Sequence, residues 1–166
     1  VLESLAAGGY SVLAVDLRGH GQTGGTRDWE LAQDDTALWV AWLREQPEVD
    51  PARISLIGAS IGSNLAIRGM AADEQIVTAI ALSPGLNYAG VTTEDAIETI
   101  GNRPVYLMAG QGDSESATAV KTLAALLEGD SIVRLYKGSA HGTNMLGREK
   151  TMPQEIVAWL DRHNKA

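Results

Sequence analysis

At the centre of this chain an apolar run, a Gly-x-Ser-x-Gly turn and an apolar helix follow one another, and few folds accept that succession. Arg53-Ile54-Ser55-Leu56-Ile57 reads as a buried β-strand. Gly58-Ala59-Ser60-Ile61-Gly62 follows it, and Ser63 to Met70 reads as a helix. Small residues on either side of Ser60 let the chain reverse tightly and leave the serine strained and exposed. The helix that follows points its free N–H groups at any charge forming near Ser60 Oγ.

The rest of the chain repeats the alternation. Leu2 to Ala7 reads as a helix end stopped by Gly8-Gly9. Tyr10 to Val15 reads as a strand, followed by a Gly-rich loop from Leu17 to Arg27. Asp28 to Gln46 reads as a helix with Leu38, Trp39, Trp42 and Leu43 on its packing face. Strands are expected at Ile54 to Ile57, Ile76 to Leu82, Pro104 to Met108 and Ile132 to Tyr136. Helices are expected at Thr93 to Ile100, Ser116 to Leu127 and Pro153 to Arg162. Strands that alternate with helices imply an α/β fold: a mostly parallel sheet with helices on both faces. No repeat, linker or low-complexity tract divides the chain, so residues 1–166 read as one domain.

Composition narrows the function classes. The net charge is −8, so nucleic acid and anionic membrane surfaces, which need basic patches, are not expected partners. There is no cysteine, which removes disulfides, thiolate metal sites and a cysteine nucleophile. The three histidines lack metal-ligand spacing, and neither metal nor cofactor is expected. Gly19-His20-Gly21-Gln22-Thr23-Gly24 spells G-x-G-x-x-G, but Asp16-Leu17-Arg18 separate it from the strand. The next strand ends in Gly58-Ala59-Ser60 rather than in a ribose-binding acid, so a dinucleotide site is disfavoured. No run of about 18 apolar residues occurs, and no basic-then-apolar leader opens the chain. The cytoplasm is the default compartment. The chain begins at Val1, inside a helical pattern and without Met, and is read as shortened at its N-terminus.

In a parallel α/β sheet the strand C-termini share one edge, where sites form. Ser60, Asp113 and His141 each follow an expected strand, in the order Ser…Asp…His. Bland alternatives exist for each. Asp113 could cap the helix near Ser116, His141 could be a solvated loop residue, and His20 is a rival base. His163 lies in an expected frayed tail.

Four segments carry a resemblance to the α/β-hydrolases of the serine esterase type. Asp16-Leu17-Arg18-Gly19-His20-Gly21 resembles the loop after that fold's fourth strand, and Gly58 to Gly62 resembles its nucleophile elbow. Gly110-Gln111-Gly112-Asp113 resembles the acid loop, and Ser139-Ala140-His141-Gly142 the histidine loop. The resemblance implies Ser60 as nucleophile, His141 as base and then acid, and Asp113 as the residue that orients the imidazole. The Ile61 backbone N–H is the implied oxyanion donor. The family pattern has three further strands ahead of the Asp16 segment, and a His-Gly loop with a second donor; this chain lacks both. Weak catalysis is expected if no other donor replaces it. In that family the third strand lies between the strands before Asp16 and Ser60, so its absence is expected to leave a gap, to make those two strands pair directly, or to leave an open edge that a second copy fills or covers; the last, a homo-oligomer, is favoured.

The interval from Ser83 to Arg103 is too short for a large lid. An open, shallow site for small or short-acyl esters is expected, with Leu86 and Tyr88 lining it. The expected activity is a carboxylesterase working through an acyl-enzyme. The alternatives are another acyl or C–C bond hydrolase, dienelactone-like or peptidase-like, and a non-catalytic oligomeric fragment with an incomplete oxyanion hole.

Overall fold

The computed structural model describes residues 1–165. In chain order the elements are α1 (Leu2–Ala7), α2 (Trp29–Arg44), β1 (Leu56–Ala59), α3 (Ile61–Ala72), β2 (Ala79–Leu82), β3 (Asn87–Tyr88) and β4 (Val91–Thr92). There follow α4 (Glu94–Ile100), β5 (Val105–Gly110), α5 (Ser114–Ala124), β6 (Ile132–Tyr136), α6 (Asn144–Arg148) and α7 (Met152–Asn164). Four strands pair in parallel in the order β1-β2-β5-β6.

Period-two alternation assigns the two faces of this sheet. Ala79, Ala81, Val105, Leu107 and Ala109 face one way, against Val40 of α2, Ile67 and Met70 of α3, Ile97 of α4, and Val120 and Leu123 of α5. Ile80, Leu82, Tyr106, Met108 and Tyr136 face the other way, against Leu5 of α1, Met145 of α6, and Ile156, Trp159 and Leu160 of α7. β2 and β5 are buried along their whole length, as strands covered on both faces must be. Each large side chain fully buried here contributes about 1.5–3 kcal/mol. Two tyrosine hydroxyls, of Tyr106 and Tyr136, donate to the Glu155 carboxylate and fasten α7 across β5 and β6.

Three expectations need correction. Tyr10 to Val15 forms no strand; Val12, Leu13 and Val15 are exposed, and no strand among the described residues pairs with the segment. Its apolar, β-branched run is strand-like, but a strand needs a neighbour to accept its hydrogen bonds. The buried face of α2 is Ala32, Thr36 and Val40, with Leu43 beside them, while Leu38 and Trp42 point to solvent. The spacing Ala32, Thr36, Val40, Leu43 is the true helical stripe; Leu38 and Trp42 lie on another face. His163 belongs to α7 and its ring lies tilted against Trp159 with ring centroids 4.2 Å apart, so it is not frayed. Burial lowers its pKa below the usual histidine range.

The short hairpin β3–β4 was not expected. Its turn residues Ala89 and Gly90 both have positive φ, 50° and 90°. Such a pair suits a tight two-residue hairpin turn. The outer edge of β1 has no neighbour among the described residues, and Ile57 on it is exposed. No helix among the described residues is long and apolar enough to cross a membrane.

Candidate active site

Ser60 occupies the turn between β1 and α3 at φ 55° and ψ −127°, a backbone region that L residues rarely adopt. Holding a non-glycine residue there costs about 1–3 kcal/mol, so the surroundings must enforce it. Ser60 N–H donates to the Leu82 carbonyl at the end of β2, at 2.9 Å. The Ser60 carbonyl in turn accepts from Ser63 N–H at 2.8 Å and from the Ser63 hydroxyl. Gly58 lies directly under the first turn of α3, where a side chain would overlap the backbone of Gly62.

The histidine arrives on the loop after β6. Gly138 and Gly142 both have positive φ, 94° and 56°, which lets the chain fold back over the sheet edge. His141 Nδ1 lies 2.7 Å from Asp113 Oδ2, and Nε2 lies 2.8 Å from Ser60 Oγ. A carboxylate only accepts, so the ring proton belongs on Nδ1. Nε2 is then left with its lone pair toward the Ser60 hydroxyl, which donates to it. Asp113 is the N-cap residue of α5 but makes no side-chain capping bond. Its carboxylate turns to the imidazole instead, which disposes of the simple capping alternative. The Asp113 side chain is 13% exposed and that of His141 41%, so the carboxylate is sheltered and the imidazole faces solvent.

Of the residues named from the sequence, the structure brings Ser60, Asp113 and His141 into one hydrogen-bonded chain. Ile61 is adjacent, as the first residue of α3, whose leading N–H groups have no intrahelical acceptor. Tyr88 stands beside the imidazole, edge to face at 6.4 Å between ring centroids. Its hydroxyl meets Ser116 Oγ at 3.0 Å, and burial raises its pKa above the usual phenol range. Leu86 instead packs against the core cluster that contains Ile97 and Ile100. His20 is apart from this chain: Nδ1 meets the Arg18 carbonyl at 3.1 Å, and the ring tilts against Trp29.

The sequence reading missed two buried polar residues. Asn64 is fully buried; its amide donates to the carbonyls of Gly85 and Val91 at 3.0 and 2.8 Å and accepts from Gly85 N–H at 3.0 Å. It thereby pins the loop that carries Tyr88 onto α3. Ser83, also fully buried, bonds to the loop of His141. A polar residue inside an apolar pattern was the only available signal. An open cavity of about 590 Å³ adjoins His141, lined among others by Ser139, Thr143, Asn144 and Arg148. No cluster of three or more metal-binding side chains occurs among the described residues.

An esterase of Pyrococcus furiosus superposes with a TM-score of 0.83 at 22% identity, over 98% of this chain and 74% of that one. A monoacylglycerol lipase of Paleococcus ferrophilus superposes with a TM-score of 0.74 at 20% identity, over 96% of this chain and 86% of the other. An uncharacterized protein of Mycobacterium tuberculosis is 35% identical over 83 residues, which are 50% of this chain and 29% of that protein. The match thus spans less than a third of that relative's length. The sequence model of the alpha/beta hydrolase family matches residues 1–164, and the chain belongs to that family.

Proposed function

We propose that this protein is a serine hydrolase that cleaves small or short-acyl carboxylic esters through an acyl-enzyme. The observation that carries the reading is the hydrogen-bonded chain Asp113–His141–Ser60, with 2.7 and 2.8 Å between its members. A serine hydroxyl is a weak nucleophile until a base removes its proton. His141 Nε2 takes that proton as Ser60 Oγ bonds to the ester carbonyl carbon. The carbonyl π pair moves onto oxygen, and the Ile61 N–H at the start of α3 faces the charge that develops. As the tetrahedral centre collapses, the C–O bond to the alcohol breaks and the imidazolium returns its proton to the departing alkoxide. Water then repeats the sequence on the acyl-enzyme, with His141 again as base, and releases the acid and free Ser60. Asp113 holds the tautomer and stabilises the imidazolium. Such proton transfer contributes about 10²–10⁴ in rate.

The preference for small esters rests on the cover over the site. Between β2 and β5 the chain supplies only the β3–β4 hairpin and the seven residues of α4. The His141 side chain stays 41% exposed, so little apolar surface is available to hold a long acyl chain. Solved relatives of the same fold include an esterase and a monoacylglycerol lipase, which agrees with ester chemistry.

The test is hydrolysis of p-nitrophenyl acetate and butyrate by the wild-type chain beside Ser60→Ala, with fluorophosphonate labelling mapped by mass spectrometry. Turnover that vanishes in the variant, with the label on Ser60, supports the reading. Equal turnover in both proteins, or a Ser60 that stays unlabelled, overturns it.

A further inference from the structure

We propose that Ser83, the residue immediately after β2, is a positioning residue that sets where His141 stands relative to Ser60. Ser83 has no exposed surface and is one of only three non-glycine residues with positive φ among the described residues, at 53°. That conformation is uncommon for serine and has to be enforced. Its N–H donates to the Met108 carbonyl of β5 at 2.7 Å, which fixes the backbone across the sheet. Its hydroxyl is then directed at the histidine loop.

The directions of the bonds identify what the hydroxyl does. Gly142 N–H donates to Ser83 Oγ at 2.9 Å. The Ser83 hydroxyl proton points to Met145 Sδ at 3.3 Å, so the oxygen lone pair is free for the Gly142 amide. Gly142 is buried, follows His141 directly, and approaches Ser60 so closely that a Cβ there would lie 3.6 Å from the Ser60 Cβ. The neighbouring residue Leu82 accepts the Ser60 amide. Two successive residues at one strand end therefore hold the two reacting partners: Leu82 holds the serine turn and Ser83 holds the histidine loop. Without the hydroxyl, the Gly142 amide is a buried donor with no acceptor, and the loop must shift to satisfy it. A displacement of the base by a fraction of an ångström is enough to slow proton transfer severely.

The proposal rests on the reading of Ser60 and His141 as the reacting pair, and the experiment separates the two. Ser83→Gly removes the hydroxyl while suiting a positive φ, so the backbone strain is relieved rather than increased. The expected result is a kcat lower by about 10–100-fold for p-nitrophenyl acetate with KM close to wild type, and a Tm lowered only modestly because relief of the strained φ offsets part of the cost of the orphaned Gly142 amide. The downfield proton resonance of His141 Nδ1–H, bonded to Asp113, is expected to shift or broaden in the variant. That resonance is read without any substrate, so it reports on positioning even if the ester assay fails in the wild type. A kcat within twofold of wild type, or an unchanged resonance, overturns the proposal. Hydrogen exchange on the wild-type chain is a check that needs no variant: the Gly142 amide is expected to be protected like a core strand amide, and fast exchange there also overturns it.

Discussion

Gly58 and Gly62 face each other across the serine turn so closely that a methyl group on Gly58 would overlap the Gly62 carbonyl, while a methyl on Gly62 meets nothing. The two glycines of the same motif therefore have different jobs. Gly58→Ala is expected to destabilise the fold by more than about 3 kcal/mol, because backbone rather than a flexible side chain must move. Gly62→Ala is expected to raise stability by up to about 1 kcal/mol through helix propensity. Urea unfolding of both variants checks the contrast.

Asp113→Asn is expected to leave Tm nearly unchanged and to lower kcat by about 10⁴-fold, because the amide can present an N–H to His141 and favour the wrong tautomer. The native carboxylate makes no capping bond, so little stability depends on it. A parallel loss of Tm would assign Asp113 a structural role instead. Circular dichroism melts and steady-state kinetics on one preparation decide this.

Asn64→Ala removes three buried hydrogen bonds and orphans the Gly85 amide. The expected cost is about 2–3 kcal/mol. Since Asn64 holds the loop leading to Tyr88, the variant is also expected to raise KM more than it lowers kcat. An unchanged KM would show that the hairpin keeps its place through Thr93, whose hydroxyl donates to the same Gly85 carbonyl at 2.9 Å.

A pH effect on stability is expected from Asp73, which joins the end of α3 to Arg44 at the end of α2 at 2.8 Å. The hydrogen bond from Arg44 holds its carboxyl below the ordinary value of 3.8. The unfolded chain therefore takes up this proton first. The stabilisation is full above about pH 4 and is lost as pH falls through the lower native value. Asp73→Asn is expected to cost about 1 kcal/mol at pH 7 and progressively less below pH 3.8. Urea melts at pH 7 and pH 3 give the comparison.

We also propose that a second copy covers the outer edge of β1, where Ile57 is 39% exposed. Light scattering at micromolar concentration is expected to give more than the 17.6 kDa of one chain. Ile57→Lys is expected to shift the mass toward the monomer. A monomeric wild type would end the proposal.

The convergence of Ser60, Asp113 and His141 was more legible in the sequence than the edges of the fold. Ser60, Asp113 and His141 each follow an apolar run, and strand C-termini converge whatever the intervening chain does. Tyr10 to Val15 misled because its pattern is local, whereas strand formation depends on a neighbour. The stripe on α2 was misassigned because two tryptophans outweighed Ala32 and Thr36, which are smaller but occupy the buried face. Ser83 and Asn64 were invisible because their importance lies in contacts with residues tens of positions away.

β2 ends in Leu82, Ser83 follows it directly, and the strand lies between β1 and β5 with every residue buried. Such a strand does not fray by itself; it opens only when the sheet opens. The serine turn and the histidine loop thus share one thermal fate. On heating, loss of activity is expected to coincide with loss of structure rather than to precede it, so residual turnover after a heat pulse becomes a direct count of folded molecules.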